Sequence, residues 1–144
     1  RVVANPDGSQ WVLTPHAGEA ARLLGITPAE VQADRFAAVR QLQEKYGAVV
    51  LLKGPGTLIA GPDETIKVCP YGNPAMATAG MGDILSGIVG ALIAQGCDLQ
   101  TAAELGCCLH SRAADLAVEA QGQRGLVATD LLVHLYSLLN QADL

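Results

Sequence analysis

The stretch GNPAMATAGMGDILSGIVGAL, residues 72–92, holds the side chain best placed to do chemistry, Asp83, which follows Gly80 and Gly82 where an irregular loop turns apolar. Glycines at this point let the backbone come close to a ligand and aim N–H groups at it. The apolar run after them predicts a helix, whose first turn carries about half a positive charge. Phosphate oxygens would be stabilised there. A carboxylate in the same turn can take a proton from an attacking hydroxyl while the helix end holds the developing phosphoryl charge. The competing role for Asp83 is a plain complement to the helix dipole. A bare GxGD does not separate the two.

Other polar segments point to the same region. Asn73-Pro74 and Met76-Ala77-Thr78 form an irregular run ahead of the glycines, with side chains that could reach a nucleotide. Upstream, LKGPGTLI ends an apolar strand in Lys53-Gly54-Pro55-Gly56-Thr57, and TPHAGE places His16 after an earlier strand. In open α/β sheets, ligands sit at the carboxyl ends of strands, so three strand ends would deliver polar or glycine-rich segments to one rim. No Ser, Cys or Asp spacing around His16 makes a nucleophile triad. No cluster of His, Cys and carboxylates reads as a metal site.

The elements that must position these groups are legible as patterns. Trp11 to Thr14 predicts a short strand, and a helix follows from about Gly18 to Leu24. Thr27, Pro28 and Glu30 form a capping box that opens a helix continuing to a stop at Gly47. Phe36, Val39 and Leu42 recur at helical spacing there, with Arg40, Gln41, Glu44 and Lys45 outward. AVVLLKG reads as a strand buried on both faces of a parallel sheet. TLIA and TIKVC read as a hairpin around GPDE. Helices are expected at Asp83 to Gln95, about Leu99 to Ala120 and about Thr129 to Leu139. This order predicts an α/β layered fold with fewer strands than a parallel sheet normally needs, so the chain reads as part of a domain.

Composition narrows the class. The chain has 144 residues, half of them apolar and only 3% aromatic, so one domain with an Ala, Val, Leu and Ile core is expected. A net charge of -5 without a basic run argues against nucleic acid as partner. No apolar run reaches the roughly 18 residues that span a bilayer, and no membrane partner is expected. Cys69, Cys97, Cys107 and Cys108 lack CxxC spacing, and neighbours on a helix such as Cys107 and Cys108 point to different faces. They read as reduced, mostly buried thiols of a cytoplasmic protein.

LTPHAGE, LLKGPGTLI, the run 72–92 and AAELGCCLHSRAAD, in this order, resemble the carboxy-terminal dehydratase domain of the YjeF family, the ADP-dependent NAD(P)H-hydrate dehydratases of the ribokinase-like superfamily. The resemblance runs from about Trp11 to Leu139. It implies the carboxy-terminal part of a three-layer αβα ribokinase-like domain, here residues 1–144, with a further amino-terminal half absent. It also implies repair of NADH or NADPH whose nicotinamide ring has been hydrated, with ADP as phosphoryl donor, Mg²⁺ alongside it, and AMP and phosphate released. By position, Asp83 matches the catalytic acidic residue at the hydrate and His16 a hydrate contact. Lys53, Gly54, Pro55, Gly56 and Thr57 match one nucleotide-binding segment. Asn73, Pro74, Ala75, Met76, Ala77, Thr78, Ala79, Gly80, Met81 and Gly82 match the other. A homo-oligomer, a tetramer in the family, is implied. Family members usually carry Gly where this chain has Ala75 and Ala79, and often at Ala114. A small-molecule kinase of the same superfamily and a nucleotide-binding module without turnover are the alternative functions. The missing half would leave a sheet edge bare and favour self-association.

Overall fold

A computed structural model describes residues 11–140. Its centre is a four-stranded sheet in the order β1-β2-β3-β4, with β1 Val12–Leu13, β2 Val49–Leu52, β3 Leu58–Ala60 and β4 Ile66–Val68. β1 and β2 run parallel, Val12 opposite Val49. β2, β3 and β4 are antiparallel, with Ala60 opposite Ile66 across the expected hairpin. The sheet is therefore mixed, with a parallel pair only at the β1 side.

Every residue of β2 is buried, because successive side chains face opposite layers. Val50 and Leu52 join one cluster with Ala20, Val31, Val39 and Leu42 from the first three helices, α1 Ala17–Leu24, α2 Pro28–Ala33 and α3 Arg35–Tyr46. Val49 and Leu51 join a second cluster with Leu85, Val89 and Ala103 from α4 Met81–Ala94 and α5 Leu99–Gln121. Helices thus cover both faces of the sheet, the αβα layering expected. The last helix, α6 Leu131–Asn140, lies on α5, where Leu131 packs with Ala113, Ala114 and Ala117.

The capping box forms as read. The Glu30 N–H donates to Thr27 Oγ1 (3.2 Å), and the Thr27 N–H donates to Glu30 Oε2 (2.8 Å). The helix it opens is shorter than expected. It ends at Asp34, whose φ of -146° leaves the helical region and whose Oδ1 accepts from the Ala37 N–H (2.9 Å), so the same residue caps α3. Two outward-inward assignments also change. Phe36 is exposed, one face of α3 being filled by Ala38, Val39 and Leu42 instead. Arg40 is not a solvated side chain: its guanidinium donates to the carbonyls of Gly61, Asp63 and Glu64 and ties the β3–β4 turn to α3.

All four cysteines are free. Cys69 and Cys107 meet between β4 and α5, a pairing that spacing does not reveal. A hydrogen bond from the Cys107 thiol lowers the Cys69 pKa, and Cys107 is raised by the same bond and by burial. No described helix is long and apolar enough to cross a membrane.

Candidate functional site

The rim at the carboxyl ends of β1 and β2 is held together by one backbone bond. The Lys53 N–H donates to the Pro15 carbonyl (2.8 Å), which extends the β1–β2 pairing past both strands. This brings the residues that follow the two strands side by side.

After β1, His16 is the N-cap of α1. Its Nδ1 accepts from the Gly18 and Glu19 N–H groups (3.0 and 3.2 Å), which leaves the proton on Nε2. Glu19 completes the box by accepting from the His16 N–H (2.8 Å). His16 is thus both a structural cap and an exposed ring with a fixed donor. Glu19 also lies 3.8 Å from Lys53 Nζ. Partial burial pushes the Glu19 pKa upward, but the His16 N–H bond and the Lys53 charge outweigh it and leave the pKa lowered.

After β2, the segment Lys53 to Thr57 is shaped from below. Arg35, the first residue of α3, donates to the carbonyls of Pro55 (2.6 Å), Leu52 and Gly56 (both 3.2 Å). Gly56 takes φ +62°, a conformation that suits glycine. Lys53 reaches from this turn to the start of α4. A Cβ placed on Gly82 would lie 2.9 Å from Lys53 Nζ.

The start of α4 is built by glycine. Gly80 is the N-cap with φ +88° and no side chain to satisfy the first N–H groups. Asp83 and Ile84 N–H bond back to the Gly80 carbonyl, both at 3.1 Å. Among the described residues no acceptor is found for the Gly82 N–H. A lysine ammonium against the positive end of a helix is unfavourable unless a negative group lies between them. Lys53 and α4 can therefore hold an anion between them, with Glu19 offsetting the lysine's charge from one side. Asp83, exposed in the first turn of α4, stands beside it. It also lines the end of an apolar cavity of about 660 Å³ between α4 and α6, whose walls include Ile84, Ile88, Leu132 and Leu135.

The loop before α4 is the second sequence-predicted segment. Asn73 caps a 3-10 turn at Pro74–Met76, and Thr78 Oγ1 donates to the Ala75 carbonyl (2.8 Å). No described residue other than glycine has a positive φ, so Ala75 and Ala79 sit in ordinary conformations despite replacing the family's glycines. Ala114 is fully buried among α5 and α6. Lys53 and Gly82 thus meet at this rim, with Glu19 between His16 and Lys53. Asp83 follows Gly82 on α4 and lines the α4–α6 cavity, and residues 73–80 lead directly into α4.

Three supporting residues went unread in the sequence. Arg35 carries the Lys53–Thr57 turn. Asp115 of α5 accepts from the loop before α4. His110, also on α5, is buried beside Met81 with its pKa pushed down to about 4, chiefly by burial. A carboxylate inside the run AADLA and a histidine beside it were the available signals, but a helix of this length offers no hint of which neighbour each meets.

A sheet covered on both faces, with a glycine-opened helix end at its strand rim, is the layout of a ribokinase-like domain. Ribokinase from Cryptococcus neoformans matches it at TM-score 0.56 and 24% identity, over 90% of this chain and 43% of that one. A family model described as NAD(P)H-hydrate dehydratase matches residues 4–136, and the chain belongs to that family. It is 60% identical over 130 residues to the bifunctional NAD(P)H-hydrate repair enzyme Nnr of Coxiella burnetii, covering 90% of this chain and 27% of that protein. It is 53% identical over 121 residues to the ADP-dependent (S)-NAD(P)H-hydrate dehydratase of Neisseria meningitidis, covering 83% of this chain and 41% of that one. The Bacillus subtilis ADP/ATP-dependent NAD(P)H-hydrate dehydratase, co-crystallised with ATP and Mg²⁺, superposes at TM-score 0.85 with 31% identity, over 90% of this chain and 47% of that one. The chain spans less than half the length of each of these relatives.

Proposed function

We propose that this chain carries the phosphoryl-transfer half of an ADP-dependent NAD(P)H-hydrate dehydratase. The observation that carries the reading is the convergence of Lys53 and the open first turn of α4 beside Asp83. The diphosphate of ADP is an anion whose charge suits that place. Lys53 to Thr57 and Asn73 to Gly82 hold it, and His16 and Asp83 face the hydrate.

In this reading Asp83 takes the proton of the ring hydroxyl as its oxygen attacks the terminal phosphorus of ADP, and AMP leaves. Lys53 and the α4 N–H groups stabilise the charge that grows on the transferred group. The phosphorylated oxygen then departs as phosphate with the ring C–O electron pair, while the adjacent ring carbon loses a proton. The sum is hydrate plus ADP giving NAD(P)H, AMP and phosphate. The residues fit Mg²⁺ as an ion carried by the nucleotide. Among the described residues no group of three His, Cys, Asp or Glu side chains is arranged to hold a metal, and Mg²⁺ commonly takes most of its ligands from phosphate and water.

A product assay tests the reading. Recovery of NADH from its hydrate with AMP and phosphate supports it. A stable phosphorylated alcohol would make the protein a small-molecule kinase, and ADP binding without turnover a nucleotide-binding module. Free, largely buried thiols are in keeping with a cytoplasmic setting. We also propose a homo-oligomer, since among the described residues β1 is paired on one side only and α6 exposes Val133 and Tyr136. Light scattering should show a mass above the monomer, and a monodisperse monomer would overturn this.

A further inference from the structure

The loop that precedes α4 is held by packing of Ala75 and Met76 against the cluster of Met81, Ala113, Ala114 and Leu131, and by a short set of hydrogen bonds. Its 3-10 turn spans three residues, Pro74–Met76, and Gly72 takes φ +116° to enter it. Its hydrogen bonds to the rest of the fold beyond α4 run through Asp115. The Gly72 N–H donates to Asp115 Oδ2 (3.0 Å), and Asn73 Nδ2 donates to Asp115 Oδ1 (2.8 Å). Asn73 passes the constraint on, its Oδ1 accepting from the Ala75 N–H (3.1 Å). Thr78 Oγ1 then donates to the Ala75 carbonyl, and the Thr78 carbonyl accepts from Met81, the first residue of α4. Among the described residues, every other hydrogen bond of residues 72–80 stays within the loop or joins it to α4.

We propose that Asp115 is a positioning residue for nucleotide binding: through Asn73 it fixes the loop from Gly72 to Thr78, and so sets where the backbone ahead of α4 meets the phosphates of ADP. This rests on the nucleotide site proposed above. Only a carboxylate does this at position 115, because both incoming groups are donors and both its oxygens accept. An amide there would keep one acceptor and turn an N–H₂ toward Asn73 Nδ2. Rotating the Asn73 amide relieves that clash but turns its own N–H₂ toward the Ala75 N–H. One bond is lost either way.

The same geometry supplies its own rescue. Combining Asn73→Asp with Asp115→Asn moves the carboxylate to position 73. There one oxygen accepts from the new amide at 115 and the other from the Ala75 N–H, while the amide oxygen at 115 still accepts from Gly72. All three bonds return, with donor and acceptor exchanged in the one between the two side chains.

The experiment measures ADP affinity by calorimetry and amide hydrogen exchange without nucleotide in four proteins: unsubstituted, Asp115→Asn, Asn73→Asp and the double exchange. Losing one hydrogen bond to a charged group should weaken ADP binding about tenfold in Asp115→Asn. Asn73→Asp, which sets two carboxylates face to face, should weaken it at least as much. Exchange at Gly72 and Ala75 should speed up in both. The double exchange should restore slow exchange at Gly72 and Ala75 and bind ADP more tightly than either single variant, a recovery that a diffuse effect on folding would not give. Were Asp115→Asn not to fold, Asn73→Asp against the double exchange gives the same comparison. Unchanged affinity in both single variants, or a double variant no better than either, overturns the proposal. If the unsubstituted protein binds no ADP, the nucleotide site is what fails, and the exchange pattern still decides whether Asp115 holds the loop.

Discussion

Gly82 leaves empty the space into which Lys53 reaches, and the nearest atom to an added side chain would be the lysine's own nitrogen at 2.9 Å. That atom is the far end of a flexible chain, so Gly82→Val should fold and simply displace it. ADP affinity should fall on the order of tenfold or more, as one charged contact and the close approach of the backbone are both lost. Calorimetry beside a melting curve checks this, and unchanged affinity would put the phosphates elsewhere. Asp83 separates cleanly from this role. Asp83→Asn keeps the shape and removes the base, so turnover in the dehydratase assay should drop about a hundredfold or more while ADP binding changes little. Near-normal turnover would return Asp83 to the role of a helix-dipole complement.

At the scale of elements, the approach of α4 to α5 is set by a missing side chain. A Cβ on Gly106 would come 2.8 Å from Val89 Cγ2. Val89 is β-branched, so its methyl has little freedom to turn aside. Gly106→Ala gains about 1 kcal/mol in helix propensity but overpacks the contact at about 1–3 kcal/mol, so a net loss of up to about 2 kcal/mol is expected. Urea denaturation measures it; a more stable variant would mean the two helices part freely. The sequence made β2 and the β3–β4 hairpin legible, because an unbroken apolar run and a Gly-Pro-Asp-Glu turn each have few other uses. It made Asp83 a candidate because glycines precede it. The break at Asp34 was hidden, since Asp is an ordinary residue in an exposed helix and only the second cap reveals it. Arg35, Arg40 and Asp115 were hidden for a shared reason. Each bonds backbone groups far away in the chain, and a polar side chain carries no mark of a distant partner.

At the scale of the whole molecule, a chain of net charge -5 sets one lysine, Lys53, against the start of a helix. The rim exists only where the ends of β1 and β2 meet the start of α4. Its contributors are His16, Lys53 and Gly82, which lie well apart along the chain. The bond from the Lys53 N–H to the Pro15 carbonyl is what brings the first two together. In the unfolded chain these segments are far apart, and none alone offers more than weak affinity for an anion. Under the proposed function, nucleotide is therefore linked to folding: it binds the native state and has no counterpart to bind in the denatured one. ADP at a hundred times its Kd should add about 2.7 kcal/mol to the unfolding free energy, and Tm should climb with the logarithm of ADP concentration in scanning calorimetry. A Tm indifferent to ADP would show that the site does not bind it. A cell's supply of ADP would then act on this protein twice, as a reactant and as a thermostat of how much of it stays folded.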